Sequence, residues 1–204
     1  MSKTITRLFD NYSDAAEAIR QLEGLGIPHD NISIVANNVH GEHSVPVGVN
    51  DHGDVSRATS AGAVIGGGAG LLAGLGLLAV PGLGPIVAAG WLAATAVGAG
   101  VGAVGGAAAG GIVGTLRAAG HSEEDAHVYA EGVRRGGTLV SAKVDAGDAA
   151  RAEAVLDRSP SVNIIERRKS YQTSGWTSFD DTAPAYTAEE IETDRTRHGI
   201  PSRY

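Results

Sequence analysis

The stretch ATSAGAVIGGGAGLLAGLGLLAVPGLGPIVAAGWLAATAVGAGVGAVGGAAAGGIVGTL, residues 58–116, decides how this chain can fold. It holds 59 residues without a charged side chain, between Arg57 and Arg117. Glycine recurs at every fourth position in two parts of the run, at Gly62, Gly66, Gly70 and Gly74, and again at Gly98, Gly102, Gly106, Gly110 and Gly114. Residues four apart share one helix face, and glycine there lets two helix backbones approach closely. The pattern predicts a glycine-zipper helical hairpin over 58–117, with these glycines as its packing and self-association surface.

A turn divides the run into two arms. The segment Val80-Pro81-Gly82-Leu83-Gly84-Pro85 combines prolines and glycines, which are strong turn signals. The first arm, 61–80, would be about 30 Å long as a helix, which matches the hydrocarbon thickness of a bilayer. The second arm, 86–116, would be about 46 Å long and would have to tilt, extend or break. Trp91 near the turn fits either an aromatic belt residue or plain packing.

The pattern predicts two partners, which are other copies of the same chain and a lipid bilayer. The hairpin favours self-association in a lipid bilayer, with a cytoplasmic membrane location. The alternative is a cytoplasmic homo-oligomer whose hairpins form a shared apolar core. In both cases the packing surface joins copies of the same chain, and nothing in it encodes a chemistry.

The segments on either side of the run predict a divided α+β domain. Before the run, 3–9 and 31–36 are expected as strands and 14–25 as a helix. After it, a helix is expected from an N-cap at Ser122 to Arg135, then a strand over 138–144, a helix over 148–156 and a strand over 161–166. Together, 1–36 and 118–168 predict a ferredoxin-like domain of βαβ and αβαβ parts, with helices on one face of a four-stranded sheet. Because both parts complete one sheet, they must lie on the same side of any membrane, with both termini in the cytoplasm.

The remaining segments are polar. Residues 37–57 are expected to be a linker, and 169–204 a mostly disordered acidic tail. One short helix is predicted in that tail, where Thr187 and Glu190 have capping-box spacing. Trp176, Phe179 and Tyr186 are the tail residues suited to docking on the domain or on a partner.

Composition and motifs exclude several functions. The formal net charge is -7, which is unlike the basic footprint of a nucleic-acid-binding protein. There is no cysteine, so thiol chemistry is excluded. The glycine-rich segments lack the G-K-[ST] ending of a phosphate loop, and no serine lies in a G-x-S-x-G motif. We therefore expect a non-enzymatic protein without a cofactor.

Two sets of residues are of types that bind metal ions or anionic lipid, and each has an alternative explanation. His40, Glu42, His43, Asp51, His52 and Asp54 include metal-ligand types, but no predicted rigid element positions them, so a solvated loop without metal is expected. Juxtamembrane basic residues are attracted to anionic lipid. Arg134 and Arg135 are nevertheless expected to be ordinary charges at a helix C-terminus, whereas for 167–169 lipid contact and a solvated strand end are equally supported.

The flanking segments also resemble a known family, the bacterial general stress proteins with a heat-induced stress-protein domain, in the variant interrupted by a glycine-zipper stretch. The resemblance is carried by TITRLFD at 4–10, AIRQL at 18–22, GIP at 26–28 and EGVRRGGTLV at 131–140, the last being the most specific. It covers roughly residues 3–167. It implies a non-enzymatic, stress-associated protein and supplies no catalytic residue.

Overall fold

The computed structural model describes residues 2–41, 76–93 and 111–201 and confirms a mixed α+β architecture. The strands are β1 (Ser2–Phe9), β2 (Ile32–Asn37), β3 (Gly76–Val80), β4 (Gly84–Ala89) and β5 (Thr138–Asp145). The helices are α1 (Tyr12–Gly24), α2 (Gly111–Ala118), α3 (Glu123–Arg134), α4 (Ala149–Arg158), α5 (Ile164–Thr173) and α6 (Ala188–Arg197), and a 3-10 turn at His29–Asn31 precedes β2.

The five strands form one antiparallel sheet in the order β1-β5-β2-β4-β3. Strand β5 pairs along its whole length with β1, from Ser2 opposite Asp145 to Phe9 opposite Thr138, and pairs with β2 on its other side. Segments from both sides of the apolar run therefore share one sheet, as predicted.

Each face of the sheet carries its own core. On one face, Ile5, Ile34 and Val140 pack with the apolar sides of α1 and α4. On the other, Leu8 and Leu139 pack with α2, α3 and β4. The prediction of helices on one face only is wrong, because the apolar side of α3 and part of the apolar run cover the second face.

The middle of the apolar run is a β-hairpin, so a long helical hairpin with arms 61–80 and 86–116 is wrong over these residues. Strands β3 and β4 pair from Gly76 opposite Ala88 to Val80 opposite Gly84, and β4 also pairs with β2. The predicted turn lies between the strands, where Gly82 and Gly84 have φ angles of 73° and 80°. Strand β4 is paired on both sides and β3 on one, at the edge of the sheet. The β-branched residues Ile86 and Val87 favour strand geometry.

The predicted strand at 161–166 is reduced to a single bridge. Ser161 pairs antiparallel with Phe9, and the Val162 amide donates to the Leu8 carbonyl at 2.8 Å. The Asn163 side chain then accepts from the amides of Ile165 and Glu166 and caps α5. This N-cap ends strand pairing after one residue pair.

The C-terminal segment, predicted to be mostly disordered, is folded over its described length, to residue 201. The predicted capping box is confirmed: the Thr187 hydroxyl accepts from the Glu190 amide, and the Glu190 carboxylate accepts from the Thr187 amide at 2.8 Å. Helix α6 then buries Ile191, Asp194 and Arg195. Contacts with the domain order this polar segment, and hydropathy alone does not reveal them.

Candidate functional site

The predicted packing glycines fall mainly on residues whose placement is not described. Gly62, Gly66, Gly70, Gly74, Gly98, Gly102, Gly106 and Gly110 lie outside the described ranges. Gly114 lies on α2, whose Ile112 and Leu116 are buried against the domain. Within the described ranges, no helix combines the length and apolar character needed to cross a membrane.

Trp91, at the end of the β-hairpin, packs against the second core. The Lys143 ammonium nitrogen lies 4.0 Å from the centre of its ring. Cation–π contact of this kind stabilises a packed surface aromatic. For the described residues, the packing interpretation of Trp91 therefore has direct support.

Of the residues of metal-ligand type at 40–54, only His40 lies in the described ranges. His40 Nε2 lies 3.7 Å from Glu192 Oε1, so this histidine faces the C-terminal helix. Glu42, His43, Asp51, His52 and Asp54 lie outside the described ranges. Among the residues that are described, no three potential ligands group around a common point.

A buried polar cluster resembles the hydroxyl–imidazole pair of a hydrolase. The Thr6 hydroxyl lies 2.8 Å from His121 Nε2 and 2.8 Å from the Ser141 hydroxyl, and Tyr129 donates to the Thr6 carbonyl at 3.0 Å. Burial lowers the pKa of the His121 imidazole, which the nearby Asp125 carboxylate opposes. Burial also raises the pKa of Tyr129 to about 12.

This cluster is explained by structure rather than catalysis. Thr6 and Ser141 are 1% and 0% exposed, so a substrate cannot reach either hydroxyl. Each polar group is hydrogen-bonded inside the fold, as buried polar groups must be. The hydroxyl–imidazole contact therefore joins β1 and β5 to the loop before α3.

The basic residues considered for lipid contact are largely paired within the protein. Arg167 donates to Asp10 at 2.8 Å, and Arg168 donates to Glu124 at 2.7 Å and to Asp125. Lys169 is exposed, in an open cleft between α3, α5 and Trp176. Because the two arginines are neutralised locally, 167–169 does not present a concentrated positive patch.

The best-defined site among the described residues is the docking surface of the C-terminal strap, the name we give to residues 174–201. The strap contacts the β3–β4 turn at Gly82 and Gly84, the helix α3 and the turn after it at 127–136, and the β1–α1 junction at Asp10 and Asn11. These contacts come from three segments that are distant in sequence.

A buried ion network lies at the centre of this surface. Arg135 donates to Glu131 at 2.7 Å and to Asp194 at 2.8 Å, and all three side chains are at most 7% exposed. The guanidinium also lies 4.2 Å from the centre of the fully buried Tyr171 ring. Burial acts to lower the pKa of Arg135, but the carboxylates of Glu131 and Asp194 outweigh it and raise that pKa.

Arg195 fixes the far end of the strap. It donates to the Asp10 carbonyl at 2.7 Å, to the Asn11 side chain at 3.0 Å and to the Pro201 carbonyl at 2.8 Å. His198 next to it lies 2.8 Å from the Ser170 hydroxyl. One arginine thus holds both the first βα connection and the C-terminal end of the strap.

Sequence reasoning located parts of this surface without assembling it. The block at 131–140 carries the family resemblance. The expectation that Arg135 is an ordinary charge at a helix C-terminus is wrong, because its side chain is buried and paired with Glu131 and Asp194. The predicted α6 capping box and the aromatic residues of the tail were the available signals of order. Phe179 does pack against the domain core, and Tyr186 lies over Arg134 at 4.9 Å.

Comparison with known proteins finds no relative of this chain. No protein-family model matches the chain, and no curated protein or solved structure matches it. Its function is therefore inferred from its own residues.

Proposed function

We propose that this protein is a non-enzymatic structural protein that self-associates through the glycine-rich parts of its apolar run. The observation that supports this most is the placement of β3 and β4 in the sheet of the domain. The domain holds the centre of the run, while the two glycine registers, 62–74 and 98–114, flank that centre. The resemblance to bacterial general stress proteins adds the expectation that such a scaffold acts during stress.

The strand arrangement supports the finer proposal of a ferredoxin-like core. Strands β1 and β2 both run antiparallel to β5, which lies between them. The bridge between Ser161 and Phe9 lies on the outer side of β1, where the fourth strand of that fold would pair. On this proposal, β3 and β4 extend a ferredoxin-like sheet beyond β2.

The β-hairpin favours association through a protein core over a two-helix membrane crossing. Residues 76–80 and 84–89 are used as strands, so the proposed membrane arm 61–80 would lose a quarter of its length. A crossing needs about 20 apolar residues. Membrane anchoring remains an outcome of the test below.

The test compares substitutions on and off the glycine register. Gly102→Leu with Gly106→Leu places large side chains on the stripe, and Ala103→Leu with Ala107→Leu adds similar volume one position away. Mass is measured by light scattering and by native mass spectrometry. We expect oligomers for the wild type and the alanine variant, and at least a tenfold loss of oligomer for the glycine variant.

Two results would overturn the proposal. A monomeric wild type would remove self-association, and equal oligomers for both double variants would remove the glycine register as its cause. Retention of the wild type in a carbonate-washed membrane pellet would assign association to lipid instead of a protein core.

A further inference from the structure

We infer that the C-terminal strap is a restraint that keeps the β3–β4 hairpin on the domain, and that its release promotes association between copies of the chain. This inference rests on the proposed self-association. It concerns how association is controlled, which the glycine register does not address.

The strap lies directly on the turn of the hairpin. A methyl group added to Gly84 would lie 2.7 Å from the Ala185 Cβ, and one added to Gly82 would lie 2.7 Å from the Asp181 Cα and 3.0 Å from the Phe179 ring. Real side chains do not approach this closely, so only glycine permits the contact at these two positions. The glycine backbone of the turn is therefore packed directly against the strap, against its backbone at Asp181 and against the side chains of Phe179 and Ala185.

Phe179 supplies the apolar part of this contact. It packs in the cluster that holds Leu83 and Ile86, which are 1% and 2% exposed. Its amide donates to His127 Nδ1 at 3.2 Å, which fixes the strap to α3 at the same point. Removing the strap would uncover part of the apolar cluster beneath the turn.

The rest of the strap is held mainly by polar groups. Arg134 donates to the Pro184 carbonyl at 2.9 Å, and Arg134 and Arg135 lie 4.9 Å and 5.3 Å from the centre of the Tyr186 ring. Residues between 174 and 187 are mostly exposed. A segment with few buried apolar groups opens at low cost relative to the core, so the strap can detach while the sheet persists.

Both ends of the strap are anchored more firmly than its middle. Just before its first residue, Tyr171 of α5 is fully buried. At the other end, Ile191 is fully buried against Gly136, and Asp194 pairs with Arg135. Fixing α6 covalently would therefore trap the middle of the strap over the hairpin turn.

The test is a reversible covalent lock. The chain has no cysteine, so Gly136→Cys with Ile191→Cys introduces one unique pair. A Cβ built on Gly136 lies 3.7 Å from the Ile191 Cβ, close to the separation of about 3.8 Å in disulfides. Gly136 has a φ of 92°, at which a side chain strains the backbone. The oxidised and reduced forms of this variant share that strain, so they are compared with each other and not with the wild type. Oligomer mass is measured for the same sample oxidised and reduced, and we expect at least tenfold less oligomer when it is oxidised.

A second variant releases the strap without a disulfide. Phe179→Ala with Ile191→Ala removes its two main apolar contacts, whereas Thr177→Ala with Glu189→Ala changes exposed strap positions and is the matched control. We expect the first variant to associate at a several-fold lower protein concentration than the control. Circular dichroism checks that the strands and helices persist in both.

The outcomes separate the two proposals. Equal association of oxidised and reduced lock, together with equal association of release variant and control, overturns the strap inference and leaves self-association standing. If the wild type, the reduced lock and the release variant all remain monomeric, self-association itself is overturned, and the strap inference with it.

Discussion

The β3–β4 hairpin and the C-terminal strap lie against each other but are stabilised in opposite ways. The hairpin comes from a run of 59 residues without a charge, and apolar burial and ladder pairing with β2 hold it. The strap begins in a polar, acidic segment, and arginine contacts, ion pairs and a capping box hold it. Both end as ordered parts of one domain.

This difference shows that the partners available to a segment determine its conformation more than its hydropathy does. Residues 76–80 and 84–89 of the apolar run form strands instead of a helix, because β2 offers a sheet edge with which β4 pairs. The polar segment does not remain disordered, because each of its key charges meets an opposite charge or a carbonyl on the domain. Three predictions separate these two sources of order, and a fourth concerns the buried cluster at His121.

The largest expected effect comes from breaking the buried ion network. Arg135→Met leaves Glu131 and Asp194 buried without their shared partner, and removing one member of a buried ion pair costs about 3–5 kcal/mol. The free energy of unfolding from urea titration measures it. Arg151→Met is the control, because its ion pair with Asp148 is exposed and worth at most about 1 kcal/mol. Equal losses for both variants would show that the network does not hold the strap.

The next effect tests the apolar side of the comparison. Ile86→Ala in β4 opens a cavity under a residue that is 2% exposed, at a cost of about 2–5 kcal/mol. Leu77 in β3 is 60% exposed, so Leu77→Ala should change stability by less than about 0.5 kcal/mol. Thermal and urea unfolding compare the two, and similar values would mean that the hairpin is not packed on the sheet.

A smaller effect is expected at the start of α6. Thr187→Ala removes the side-chain half of the capping box and should cost about 1 kcal/mol. Thr193→Ala, at an exposed interior position of the same helix, is the control. Amide hydrogen exchange of α6 should accelerate in the first variant only, and unchanged exchange in both would contradict the capping role.

The smallest effect concerns pH. The pKa of His121 is lowered in the folded protein by burial, so the unfolded state binds more protons as the pH falls below about 6.5. The contribution of neutral His121 to the free energy of unfolding is therefore fully present above that pH and decreases as the pH falls below it. His121→Gln should reduce the decline measured by urea titration between pH 7 and pH 5, and an identical slope would show that His121 does not contribute.

Much of the sheet could be predicted from local pattern, while the contacts that order the strap could not. Strands β1, β2 and β5 and helices α1, α3 and α4 follow from alternation, helical periodicity and caps. In α3, for example, the buried residues Ala126, Tyr129, Ala130 and Val133 recur at helical spacing. In the apolar run, the glycine register stops at Gly74 and resumes at Gly98, and β3 and β4 lie in that interval. The interruption of the glycine register therefore coincides with the change from the predicted helix to strands, although the uncharged run continues through it.

The strap surface depends on long-range partners. Arg135 and Asp194 are 59 positions apart, and Arg195 and Asp10 are 185 apart. Nothing in the local sequence around Asp194 distinguishes it from the exposed acidic residues nearby. Local periodicity predicts elements, but the pairing of buried charges is settled only when the chain is folded.

The most direct test of the central claim is the backbone conformation of residues 76–89 in the full-length protein, read from Cα and Cβ chemical shifts by magic-angle-spinning NMR. We expect strand-type shifts over 76–80 and 84–89, interrupted at 81–83. Continuous helix-type shifts on both sides of Pro81 would contradict the β-hairpin and restore the helical hairpin.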